Sequence, residues 1–269
     1  MQNYNSCIFC GNKGPYHSVE HIIPEGLGND NLILKEKVCD KCNQYFGSKI
    51  ENYVLKSTPI GFWRSYLRIV GKGRKLSDFK TGNTKKKGRL PRYHSANDSF
   101  CLKCHRDGFT SIDLSEEHIS KISSDNNASL KVVLTPYMLS MMGRFLLKIG
   151  IELLCYNGID VTSNKRFYQA RKFSRYGNFK ELWPIFHYNN GNLSDLVKNG
   201  EDNLGIFQEI FCYQFNIFEY TDYIILSLQV GIDVFSVCID EQYPSPNMEK
   251  CFPHDLHILY YSPDQINPL

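Results

Sequence analysis

Three pieces of one stretch decide how this chain is read: Cys7-Ile8-Phe9-Cys10, Ser18-Val19-Glu20-His21-Ile22-Ile23-Pro24 and Cys39-Asp40-Lys41-Cys42-Asn43. Two Cys-x-x-Cys pairs are separated by 28 intervening residues, Cys10 to Cys39, with an adjacent Glu-His pair between them. Thiolates at that spacing suit tetrahedral Zn²⁺, and a second pair completes a closed structural site. Cys7, Cys10, Cys39 and Cys42 are therefore expected to hold one zinc ion, against the alternative of free thiols or a redox pair. The interval is wider than in common zinc ribbons, so folded structure should lie inside it.

Ser18 to Ile23 has the β-branched content of a strand ending at Pro24, and Leu32-Ile33-Leu34 leads a second one toward Val38. Gly26 and Gly28-Asn29-Asp30-Asn31 supply the turn. After Asn43, Phe46, Ile50, Val54 and Leu55 fall on one face of a helix over 44–55. The order is strand, turn, strand, helix, with metal joining the base of the hairpin to the start of the helix.

These residues resemble the HNH endonuclease family, in particular its branch with four cysteines, a Glu-His-Ile-Ile-Pro signature and a Cys-x-x-Cys-Asn helix start. The resemblance covers roughly residues 7–55 and implies the ββα-metal fold. It also implies that His21 is the general base and that Glu20 and Asn43 ligate a catalytic divalent ion. Their side chains suit those roles: an imidazole titrates near neutrality, and hard oxygen donors favour Mg²⁺ or Mn²⁺. Asn43 stands where the family's last His often stands. The family's middle Asn, which braces the loop carrying the base, has its nearest counterpart in Asn31, eight residues before Cys39. Because neighbours on a regular strand face opposite sides, joint use of Glu20 and His21 calls for an irregular strand end.

Outward from this stretch, Thr58-Pro59 signals the start of a second helix over 60–70. Residues 72–92 carry nine Lys or Arg against one acid, Asp78. Within them Lys72, Arg74, Lys75, Lys85, Lys86, Lys87 and Arg89 are candidate phosphate contacts; a solvated linker explains the same composition. A third pair, Cys101 and Cys104, invites a second zinc, but no further ligand pair follows. Arg106-Asp107-Gly108 makes a hairpin the expectation there. Thr135-Pro136 opens a long apolar helix over 137–156 that Asn157-Gly158 ends. Residues 164–176 form a basic aromatic helix, suited equally to a phosphate backbone and to packing on an inner face. From 206 onward the chain turns to strands, over 206–218, 223–230, 234–239 and 257–261.

The chain has 269 residues and a net charge of +3, and the charge is unevenly divided. Residues 201–269 hold eleven acidic side chains and one basic, Lys250, so the remainder carries 30 basic against 17 acidic. That asymmetry directs the first part, and not the last, toward a polyanion. No charged segment with an apolar core opens the chain, and Gln229 and Asp233 interrupt the most apolar late run. The expectation is a cytoplasmic α+β protein without membrane contact, with DNA as partner and a homodimer compatible. Its parts would be an HNH unit over 1–70, a basic linker over 71–99 and an α+β region over 100–269 for recognition, regulation or dimerisation. The resemblance implies hydrolysis of phosphodiesters, by analogy in restriction or phage defence. The rival is a non-catalytic zinc module that binds nucleic acid.

Overall fold

The structure is a computed structural model describing residues 6–71, 76–80, 100–104, 110–114, 134–178, 182–190, 213–219, 223–240 and 257–259. Its α+β architecture begins with the cysteine turn. Gly11 adopts a left-handed φ of 75°, which lets Cys7 N–H reach the Asn12 carbonyl at 2.8 Å. Ile8 N–H donates to Lys37 O at 2.9 Å and ties this turn to the approach to Cys39.

The expected hairpin is present but minimal. Strand β1 (Glu20–His21) pairs antiparallel with β2 (Ile33–Leu34), Glu20 opposite Leu34 and His21 opposite Ile33. Helix α1 (Asp40–Tyr45) follows directly, continues through a π-helical turn over Phe46–Glu51, and resumes as α2 (Asn52–Ser57). Widened turns of this kind recur at functional sites. Phe46, Ile50 and Val54 are fully buried, as their spacing predicts.

Helix α3 (Pro59–Tyr66) is shorter than its sequence suggests. Ile69 N–H turns back to Arg64 O at 2.9 Å while Arg68 takes a left-handed φ of 55°, and this stops the helix. Thr58 does not cap it with its side chain; the hydroxyl donates instead to Val54 O at 2.8 Å. A small sheet follows in the order β3 (Phe79–Lys80), β4 (Phe100–Cys104), β5 (Thr110–Leu114). The β4–β5 hairpin forms as expected, with Cys101 opposite Asp113 and Cys104 opposite Thr110.

Helix α4 (Pro136–Tyr156) begins where the sequence predicts, with the Thr135 side chain accepting from Met138 N–H. It is buried on every side from Met138 to Leu154. Helix α5 (Tyr168–Tyr176) packs beside it after a 3₁₀ turn over Lys165–Phe167. The second sheet runs β10 (His257–Leu259), β6 (Ile185–Asn189), β9 (Asp233–Cys238), β8 (Ile224–Val230), β7 (Gln214–Glu219), with every neighbouring pair antiparallel. Strand β6 has no counterpart in the sequence reading. One hydrophobic cluster runs from Cys7 to Ile239, so the N-terminal helices, α4 and this sheet share a core. Among the described residues no helix is long and apolar enough to cross a membrane.

Candidate active site

The four predicted cysteines converge. The Sγ atoms of Cys7, Cys10, Cys39 and Cys42 all lie within 4.8 Å of one another, three of the residues buried and Cys10 half-buried. Ligands about 2.3 Å from one tetrahedral zinc stand about 3.8 Å apart, so this cradle fits the ion. The side-chain hydrogen bond with Cys42 pulls Cys7 down to about 4 against the opposing effect of burial, with backbone donors helping. Thiolate is the form that ligates metal.

Beside the cradle lies a cleft of about 630 Å³ whose walls include Glu20, His21, Glu25, Asn43, Glu51, Lys56 and Arg64. The sequence-predicted Glu20, His21 and Asn43 thus meet at one place. The two-residue strand lets both members of the Glu-His pair border the cleft: Glu20 is buried and His21 half-buried. His21 Nε2 stands 3.4 Å from Glu25 Oε1, on the turn that follows Pro24. The Asn43 amide donates to Val19 O at 3.0 Å, which turns its nitrogen toward β1 and leaves its oxygen outside that bond. Glu20 Oε2 is buried without a hydrogen-bond partner. An orphaned carboxylate oxygen and an amide oxygen are the donors that a hard divalent ion takes, so these residues fit one.

Residues 7–59 match the family model of the HNH endonucleases. This segment is an HNH domain. No curated protein and no solved structure matches the chain.

Within the HNH domain one assignment changes. The loop between the strands is braced by Asn29, not by Asn31. Asn29 is 3% exposed, and its amide donates to Ile23 O at 2.6 Å and Leu32 O at 3.1 Å. Its carbonyl accepts from the N–H groups of Asn31 at 3.2 Å and Leu32 at 2.9 Å. Asn31 is exposed and enters this network through its backbone. The side chain two positions earlier points inward, and a short polar amide in a turn bonds most readily to backbone just ahead of it.

Sequence reasoning missed the group beneath the HNH cleft. Lys148, fully buried on α4, reaches Glu20 Oε1 at 2.7 Å, Glu51 Oε1 at 3.0 Å and Glu152 Oε2 at 3.1 Å. It also donates to His21 O at 2.8 Å and Ile22 O at 3.3 Å. Burial opposes its charge, yet Glu152, Glu20 and Glu51 outweigh burial and hold its pKa well above the ordinary lysine value. Burial likewise pushes Glu20 and Glu152 above the usual carboxylate range, Glu152 far above it. Although Glu152 Oε2 is close to Lys148, neither Glu152 oxygen has a well-aligned hydrogen bond. A signal existed: Arg144, Lys148 and Glu152 recur every fourth residue along an otherwise apolar helix.

The same stripe grips the HNH domain higher up. Arg144 Nη2 donates to the Tyr45 hydroxyl at 2.6 Å, and Arg175 of α5 lies 3.9 Å over the Tyr45 ring. Arg175 Nε also donates to Cys42 Sγ at 3.3 Å. On the basic helix, then, Arg175 braces one of the four clustered cysteines. Arg171 holds Val161 O and Thr162 O at 2.7 and 2.8 Å, and Arg166 pairs with Asp240. These three guanidiniums are engaged by partners within the protein. The candidate phosphate contacts Lys72, Arg74, Lys75, Lys85, Lys86, Lys87 and Arg89 lie outside the described residues.

Proposed function

We propose that this protein is a metal-dependent endonuclease that hydrolyses phosphodiester bonds of DNA. One observation carries the reading: within a family-matched, zinc-competent domain, a single cleft is lined by Glu20, His21 and Asn43 together. His21 accepts the proton of the attacking water. Glu25, at 3.4 Å from its Nε2, orients the ring and favours a proton there, which leaves Nδ1 as the accepting atom. Glu20 and Asn43 would hold Mg²⁺ or Mn²⁺, which when bound neutralises charge on the phosphate and the departing oxygen. Asn29 and Lys148 keep β1 and its following turn in place. The products carry 5′-phosphate and 3′-hydroxyl ends, as the family resemblance implies. Lys56, exposed at the rim of the cleft, and the basic residues within 72–92 are suited to hold the DNA backbone without reading its sequence. By analogy with the family, restriction or defence against phage is the biological setting.

The test uses the full chain with plasmid and phage DNA in Mg²⁺, Mn²⁺ or EDTA, with binding followed in parallel. Metal-dependent conversion to nicked or linear DNA with 5′-phosphate ends is the expected result. Retained binding with no cleavage of either DNA in either metal would favour the non-catalytic zinc module.

A further inference from the structure

Lys148 lies outside the residues that match the HNH endonucleases, and nothing in the zinc-cysteine pattern anticipates it. Yet it makes several polar contacts with β1 and the residue that follows it. Its ammonium holds Glu20 Oε1 at 2.7 Å and the carbonyls of His21 and Ile22 at 2.8 and 3.3 Å. It therefore touches three consecutive residues, including both members of the Glu-His pair. The π-helical turn brings a fourth partner, Glu51, to 3.0 Å. The helix that delivers Lys148 is buried from Met138 to Leu154, and Arg144 on the same stripe donates to the Tyr45 hydroxyl at 2.6 Å.

Resting on the nuclease reading, we infer that Lys148 is a positioning residue of the HNH site: α4 completes the site by locking the Glu20 carboxylate and the β1 backbone in the arrangement that receives the divalent ion. One Glu20 oxygen is engaged by the ammonium and Oε2 is left unpartnered, so the lysine divides the carboxylate between a structural contact and a ligand position. A purely structural ion pair would leave neither the ion affinity nor the turnover dependent on Lys148 once the fold is secured. A positioning residue makes both depend on it, because a freely rotating carboxylate costs the site its preorganisation.

Two full-chain variants separate these cases. Lys148→Met removes the charge at similar length, and Lys148→Met with Glu152→Gln also removes the buried carboxylate left behind it. Zinc content and thermal unfolding report the fold, Mn²⁺ titration followed by electron paramagnetic resonance reports ion binding, and cleavage kinetics report turnover. In the folded variant the expected result is Mn²⁺ affinity lowered at least tenfold and kcat lowered at least a hundredfold, with KM for DNA changed less than threefold. A folded variant within threefold of wild type in both Mn²⁺ affinity and kcat would overturn the inference while leaving the nuclease reading intact. Wild-type protein that cuts no DNA would overturn both. If neither variant folds, the wild type decides by nitrogen NMR of the Lys148 ammonium. A resonance that shifts on addition of Mg²⁺ supports the shared carboxylate, and one unmoved at saturating Mg²⁺ contradicts it.

Discussion

Replacing Asn29 with alanine removes an amide that satisfies two carbonyls and two backbone N–H groups in a buried turn. Leaving such groups unpaired costs about 1–3 kcal/mol. Asn31→Ala changes an exposed side chain and should stay within about 0.5 kcal/mol of wild type. Urea unfolding of the two variants checks the assignment, and the opposite ranking would return the bracing role to Asn31. At Glu152 the prediction concerns pH. Burial raises its pKa far above the ordinary value, so the folded chain keeps a proton that the unfolded chain releases near pH ~4.3. That stabilisation is complete below the unfolded value and is lost as pH climbs from there through the folded value. Glu152→Gln does not titrate, so calorimetry should show its Tm gaining on wild type as pH rises from about 4 to about 8. A Tm difference independent of pH would mean that Glu152 is ionised in the fold. The zinc cysteines were legible residue by residue because Cys-x-x-Cys is local chemistry. Asn29 was misread as Asn31 because one turn contains both, and only the direction of the side chain separates them.

At the scale of elements, local signals were reliable and long-range ones were not. Thr135-Pro136 starts α4 by a cap that needs only three further residues. Strand β6 was invisible because it is defined by partners far along the chain: Ser236 stands opposite Phe186 and Ile258 opposite it on the other side. The π-helical turn over Phe46–Glu51 has no propensity signature, since the apolar spacing there also fits an ordinary helix. The turn between β8 and β9 offers a sharp test of how the elements are joined. Gly231 has a φ of 64°, and a Cβ there would lie 2.2 Å from the Trp63 ring of α3. Trp63 Nε1 donates to Asp233 Oδ2 at 2.6 Å beside it. Gly231→Ala should therefore cost about 2 kcal/mol or more, through both the clash and the left-handed backbone. A thermal shift assay checks this, and an unchanged Tm would mean that α3 and the hairpin are not held together in solution.

Across the whole molecule, the HNH domain is not an independent bead. Its Cys42, in the metal-competent cradle, takes a hydrogen bond from α5, its strand is held from below by α4, and α3, which follows it, meets the second sheet through Trp63. The sequence division near residue 70 followed composition, whereas the core follows side-chain direction and crosses that point. The charge asymmetry was readable at this scale, but the part played by individual basic residues was not: Arg166, Arg171 and Arg175 are engaged by partners within the protein. Structural zinc ions contribute to folding directly. Metal analysis should thus find close to one zinc per chain, and Cys39→Ser should lose it and unfold the N-terminal region; two zincs per chain would require a second site.

The central claim is that the HNH cleft cuts DNA with His21 as its base, and comparing cleavage by wild type and His21→Ala at equal zinc content addresses it most directly. A positioned base contributes about 10²–10⁴-fold. The account predicts that the variant folds, keeps its zinc and binds DNA but loses at least about a hundredfold in cleavage rate. Cleavage by His21→Ala within threefold of wild type would contradict it.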